Sequence, residues 1–300
     1  MISLSLLAGL GASFFWALGS LLAHTPARHL GAFELTRTQL ISSFLVLFVI
    51  VTATGGWTTV SWTHAPALAI ASLVGVVLGN LAMMACLARG GPRRTQLLMA
   101  GNVPIAACLG NALYGEVLSA RQLAGAALVL LGIVMAILRT SPTQRTANAR
   151  SDVVQGSFVL MLTFGVAAAM CNAVGLVAMK PALIAGTDPL TASAIRTGGG
   201  ALMISVLALW PSKLFEPKSP RTARIVLMAI APGLLGYVVA VTLQLVALRT
   251  FGAGVAAVLS SAAPVLILPM TWIASRDRPP IGAWAGAGLV FAGVSLLVTT

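Results

Sequence analysis

Nine residues, Ala124–Gly132 (AGAALVLLG), return near the far end of the chain as Ala285–Gly293 (AGAGLVFAG), with six positions identical. A second landmark precedes each copy. Pro104 lies inside LLMAGNVPIAACLG, and Pro264 lies inside AVLSSAAPVLILP. Two landmarks in the same order, each about one repeat length apart, identify a duplicated unit. The repeated stretches are apolar, so the folds open to the chain are those in which a hydrophobic unit is used twice.

Those units are too apolar for a soluble core. Hydrophobic residues make up 58%, charged residues only 8%, and mean hydropathy is +0.99. Charges collect in short bursts between long apolar runs, and runs of about 20 residues match a hydrocarbon layer of roughly 30 Å. A transmembrane barrel would need alternating segments of about ten residues; these runs do not alternate. The net charge of +12 suggests nucleic acid only in a soluble protein. Here the basic residues flank apolar helices, as topogenic charges do, and no nucleic-acid partner is expected. Cys86, Cys108 and Cys171 fall inside expected helices without disulfide or metal spacing. No cofactor and no metal is expected. The N-terminus has no basic leader and reads as a first membrane helix.

In order, the pattern predicts helices over residues 2–23, 33–53, 66–87, 95–113 and 122–138, with a first turn at His24, Pro26 and Arg28. A second set follows over 153–179, 190–210, 225–248, 252–274 and 281–298. The expected organisation is a first repeat at 1–138, a polar linker at 139–152 and a second repeat at 153–300, in one membrane domain. Five is odd, so the second repeat starts on the opposite side of the membrane. The fold expected is an all-α polytopic membrane protein, ten transmembrane helices in two inverted five-helix repeats around a central cavity, an architecture that recurs in transporters. Thirteen basic residues fall in one set of loops and three in the other. The rich side should be cytoplasmic, which makes both termini periplasmic in a bacterial inner membrane.

The stretch Gly115–Ile133, GEVLSARQLAGAALVLLGI, resembles the signature closing each half of the drug/metabolite transporter superfamily, in its ten-helix EamA-like branch. That signature is a Gly-Glu turn, a short polar stretch with Gln, then Gly and an apolar run. The second copy, RDRPPIGAWAGAGLVFAGV, departs from it, with Asp277 near the Glu position and no Gln. Size and arginine-rich turns look most like the bacterial exporters of aromatic and other amino acids. The resemblance implies a basket of helices around a cavity and efflux of amino acids or related metabolites.

Pro104 and Pro264 occupy matching places, and interrupted helices in corresponding positions point to a transporter's binding site and gate. Polar groups deep in apolar helices should face the interior, either bonding another helix or lining the cavity. Gln39, Asn80, Asn102, Asn172, Gln244, Ser260 and Ser261 are of this kind. The substrate candidates are Trp16, Gln39, Asn80, Asn102, Tyr237, Gln244, Ser260 and Ser261, and the aromatic pair could equally be packing residues. Arg37 and Arg196 fall at matching points of helices 2 and 7. Each is either a snorkelling side chain or a carboxylate-binding or gate-pairing residue, and Glu34 lies one turn from Arg37. The six acidic residues, Glu34, Glu116, Asp152, Asp188, Glu216 and Asp277, all fall at helix ends or in loops. Proton-coupled export of cationic drugs uses an embedded carboxylate, so the pattern favours neutral or zwitterionic substrates; cationic-drug efflux is the alternative. A membrane enzyme or a non-transporting scaffold is the minor alternative. His24, His29 and His64 are dispersed, which argues against the enzyme. The expected partners are a small-molecule substrate and the bilayer. A monomer is expected, with a dimer as the alternative.

Overall fold

The computed structural model describes residues 2–138, 157–210, 220, 222–263, 265–266, 270 and 281–298. The polar linker at 139–152, Pro264 and Asp277 lie outside the described residues. Within them every regular element is helical. The first repeat comprises α1 (Ile2–Ala53), α2 (Ala65–Ile70), α3 (Gly79–Met99), α4 (Asn102–Tyr114) and α5 (Ala120–Leu138). The second comprises α6 (Phe158–Val177), α7 (Lys180–Ile184), α8 (Pro189–Leu207), α9 (Ala223–Gly233), α10 (Val241–Thr250), α11 (Ala253–Ser260) and α12 (Ile281–Val298). Six segments are long and apolar enough to cross a membrane. Two shorter apolar helices, Ala120–Met135 and Trp284–Leu296, join them among the described residues.

The first turn differs from the expected one. The helix runs through Pro26 and reverses at Gly31, where φ is 79° and ψ is 166°. Glycine alone adopts that conformation without strain. Crossings 3 and 4 are joined more tightly than expected, with helical backbone continuing through the arginine-rich segment. The hydroxyl of Thr95 nevertheless lies 3.5 Å from Cys86 Sγ. A straight helix would separate positions nine apart by about 13 Å along its axis, so the chain folds back between them.

Packing of α6 fixes the directions. Going up helix 3, Gly75 meets Gly175 and Gly79 meets Cys171, while Arg89 stacks over Phe164; these two helices are antiparallel. Going up helix 4, Leu98 meets Gly165, Gly101 meets Ala169 and Asn102 bonds Asn172; these two are parallel. The first limb of α1 does the same in the other repeat. Gly11 meets Leu243, Gly19 meets the Pro232 carbonyl, and Ser13 Oγ donates to the Leu259 carbonyl at 2.7 Å. Each repeat therefore threads its first helix between helices 3 and 4 of the other.

The repeated glycine segments lie against each other. A Cβ on Gly132 would fall 2.5 Å from the Gly286 carbonyl oxygen and 2.8 Å from Val290 Cγ2. A Cβ on Gly293 would fall 2.5 Å from the Gly125 carbonyl oxygen and 2.8 Å from Val129 Cγ2. The same contact is made twice, and positions that ascend in α5 descend in α12. The two copies are antiparallel about a pseudo-two-fold axis, which makes the repeats inverted. Small residues let the two backbones approach closely here, as in other membrane helix pairs.

Candidate functional site

A cavity of about 320 Å³ lies between the repeats. Two irregularities shape each half of its wall. Helix 3 widens to a π-helical stretch over Ala71–Leu78, and helix 8 does so over Leu234–Ala240. Such stretches are rare and concentrate at functional sites, because they leave main-chain groups outside the regular ladder. Ser193 Oγ donates to the Tyr237 carbonyl at 3.0 Å, and Ser72 Oγ donates to the Leu68 carbonyl at 3.1 Å. Gly75, Val76 and Asn80 reach the cavity from the first π-bearing helix, and Tyr237, Val241 and Gln244 from the second.

The second irregularity is a break. Helix 4 is interrupted at Ala100–Gly101, between α3 and α4. Pro104 has no N–H to offer the Ala100 carbonyl four residues back, and that carbonyl accepts from Val103 N–H at 3.3 Å instead. The bend thus sits upstream of the proline. Pro104 itself occupies the first turn of α4 and faces outward, exposed. The matching break in helix 9 follows α11 at Ser261–Ala262. The two breaks meet. Asn102 Nδ2 donates to Asn172 Oδ1 at 3.3 Å, and the Ser261 hydroxyl lies 3.5 Å from Asn102 Oδ1 while donating to the Ala257 carbonyl at 2.7 Å. Beside them Gln244 Nε2 donates to Ser260 Oγ at 2.9 Å, which donates to the Ala256 carbonyl at 2.7 Å.

At another part of the wall, Trp16 and Tyr237 form an edge-to-face pair with centroids 5.8 Å apart. The Asn80 side chain lies beside Tyr237 on the same wall. Arg196 enters from α8 and is 7% exposed. Of the sequence candidates, Trp16, Asn80, Asn102, Tyr237, Gln244, Ser260, Ser261 and Arg196 line this one cavity. Gln39 is not among the lining residues; its side chain packs on Gly233, where an added Cβ would come within 2.9 Å of it. Arg37 pairs with Glu34 at 3.6 Å, away from the cavity. Asn172, Ser20 and Thr197 also line it. Asn172 is visible in the sequence as a deep amide, but its helix carries no proline to single it out. Among the described residues no three His, Cys, Asp or Glu side chains converge to hold a metal.

A second polar cluster closes one end of α4. The turn Gly115–Glu116 follows that helix, and Glu116 Oε2 accepts from the Ala253 N–H at 2.6 Å, at the start of α11. Its other oxygen pairs with Lys180, whose ammonium lies 5.6 Å from the Tyr114 ring centroid. Gly110 and Gly252 leave room for this carboxylate, since a Cβ on either would fall within 2.8 Å of it. From there to the breaks α4 and α11 run in close contact, with Ala107 against Gly254. The sequence marks Glu116 only as part of a turn signature.

The EamA-like transporter family matches residues 3–138 and 159–299, one match per repeat. The chain belongs to that family. It is therefore a multi-pass membrane transporter of small molecules, and the cavity lies where its two EamA repeats meet. One solved crystal structure superposes with a TM-score of 0.78, over 98% of this chain and 96% of that one, at 19% identity; this likeness is one of fold. No curated protein matches the EamA-like chain.

Proposed function

We propose that the protein exports amino acids, aromatic and other neutral or zwitterionic ones, or related small metabolites across the bacterial inner membrane by alternating access. The observation that carries this reading is the cavity, built jointly by two broken helices and two π-widened helices from inverted repeats. Discontinuous helices at a repeat interface expose main-chain groups that hold substrate. The volume suits a molecule of amino-acid size. Trp16 and Tyr237 would receive an aromatic body. Asn80, Asn102, Gln244, Ser260 and Ser261 would supply hydrogen bonds, and the breaks beside Pro104 and in helix 9 would act as hinges. The absence of any carboxylate among the described lining residues speaks against exchange of cationic drugs for protons.

The test is uptake of a panel of labelled amino acids into proteoliposomes holding the pure protein, with and without an imposed proton gradient. Flux of at least one neutral amino acid, saturable and persisting without the gradient, is expected. Flux restricted to cationic compounds, or seen only with the gradient and abolished by Glu34→Gln, overturns the reading.

A further inference from the structure

We propose that the ligand of the central cavity carries a carboxylate and that Arg196 is its counter-ion. This rests on the reading of the cavity as a transport site.

Arg196 is the eighth residue of α8, about 10 Å along the helix axis from its first residue. Its side chain does not run outward: the residue is 7% exposed and faces the cavity beside Thr197 and Tyr237. Two of its guanidinium nitrogens, Nε and Nη1, are buried without a hydrogen-bond partner among the described residues. The acidic residues among the described ones are engaged elsewhere. Glu34 pairs with Arg37, and Glu116 pairs with Lys180. Asp188 caps α8, accepting from the N–H groups of Leu190 and Thr191. The described cavity lining therefore carries one formal charge, and it is positive. A buried cation without a partner is strongly disfavoured, and an incoming anion relieves that cost. Guanidinium donors suit a carboxylate in particular, being planar and fork-shaped. Gly75 stands opposite, with Nη2 3.5 Å from where a Cβ would be, an ordinary van der Waals contact. The neighbouring Trp16–Tyr237 pair gives the ligand's apolar body a wall.

Amino acids and deaminated monocarboxylates share this chemistry, and the experiment separates them. Melting temperatures of the detergent-purified protein are measured with an aromatic amino acid, the corresponding 3-arylpropionate, the primary amide of that acid, and phenyl phosphate. Both carboxylates should stabilise the wild type, and the amide should not. Arg196→Gln should need roughly 30-fold or more ligand for the same shift, and Arg196→Lys should respond in between. Without ligand, Arg196→Gln should melt no lower than wild type, because it removes an unpaired buried charge. Stabilisation by the arylpropionate alone rejects the amino-acid reading and keeps the role of Arg196. Stabilisation by the amide as strong as by the acid, by phenyl phosphate alone, or by neither carboxylate overturns the proposal. An unchanged response in Arg196→Gln does so too. Should that variant fail to fold, Arg196→Lys and the acid–amide contrast in the wild type decide.

Discussion

The Glu116–Lys180 pair should act as a latch on one end of the cavity, and its strength follows from its surroundings. The side chains are only 16% and 12% exposed, and they tie the α4–α5 turn of one repeat to the α6–α7 junction of the other. Glu116 also receives the Ala253 N–H, so it caps α11 and favours the positive end of that helix. Glu116→Gln keeps an oxygen for Ala253 but leaves the Lys180 ammonium unpaired in a largely dry site. Breaking such a pair costs about 3 kcal/mol, which shifts the closed-to-open equilibrium by a factor of roughly 150. Adding Lys180→Met removes the stranded charge and should restore most of the loss, leaving a deficit of about 1 kcal/mol. The reporter is a single cysteine at Val103, now buried between the latch and the break, with the native cysteines replaced. A membrane-impermeant maleimide should label it about two orders of magnitude faster in Glu116→Gln, and much less so in the double variant. Equal labelling of wild type and Glu116→Gln would refute the latch. Equal labelling of the single and double variants would show that the stranded lysine is not what opens it.

The antiparallel glycine seam predicts that Gly132→Ala and Gly293→Ala destabilise equally, each by about 1–3 kcal/mol from overpacking. Gly288→Ala, which meets nothing within 4 Å, should cost nothing; thermal melts in detergent that rank Gly288→Ala with the other two would reject the seam. For orientation, alkaline phosphatase fused after Thr300 should be active and a green fluorescent fusion dark, and the reverse pattern would place the termini in the cytoplasm. Pro104→Ala restores an N–H for the Ala100 carbonyl and should straighten the break. The variant is expected to insert normally but exchange substrate more slowly in proteoliposomes, and full activity would reduce the proline to a packing residue.

Much of this is legible in the sequence because membrane helices are so uniformly apolar that exceptions stand out. Asn80, Asn102, Gln244, Ser260 and Ser261 are isolated polar groups in apolar runs, and all five reach one cavity. The glycine repeat announces the duplication, although not that its two copies touch. Gln39 behaves differently. A deep amide must find cover, but sequence does not say whether a cavity or a neighbour such as Gly233 supplies it. Pro26 suggests the first turn, yet proline is tolerated in a membrane helix and the reversal needs the positive φ that Gly31 supplies. Arg196 looks close enough to the helix end to snorkel when depth is counted along one helix, and only the packing around that helix buries it. The π stretches carry no proline, charge or composition cue, and the Glu116–Lys180 pair joins segments far apart in the chain.

The two π stretches also give their helices slack in length. A π turn closes on more residues than an α turn, so each stretch takes up extra chain while the helix beyond it keeps its bearing. Removing one residue inside Ala71–Leu78 should let that stretch tighten to α geometry, with Asn80 still turned broadly toward the cavity. Removing one from the regular helix after Asn80 has no such outlet. Each later side chain would then swing by about 100°, which carries Arg89 off the Phe164 ring. The same slack lies at Leu234–Ala240, just ahead of Val241 and Gln244. Tightening is not free for the site, because it returns to the regular ladder the main-chain groups that the wide turns release beside the cavity. A shortened helix of this kind would keep its place in the membrane and its side chains on the wall, and would lose the polar backbone between them.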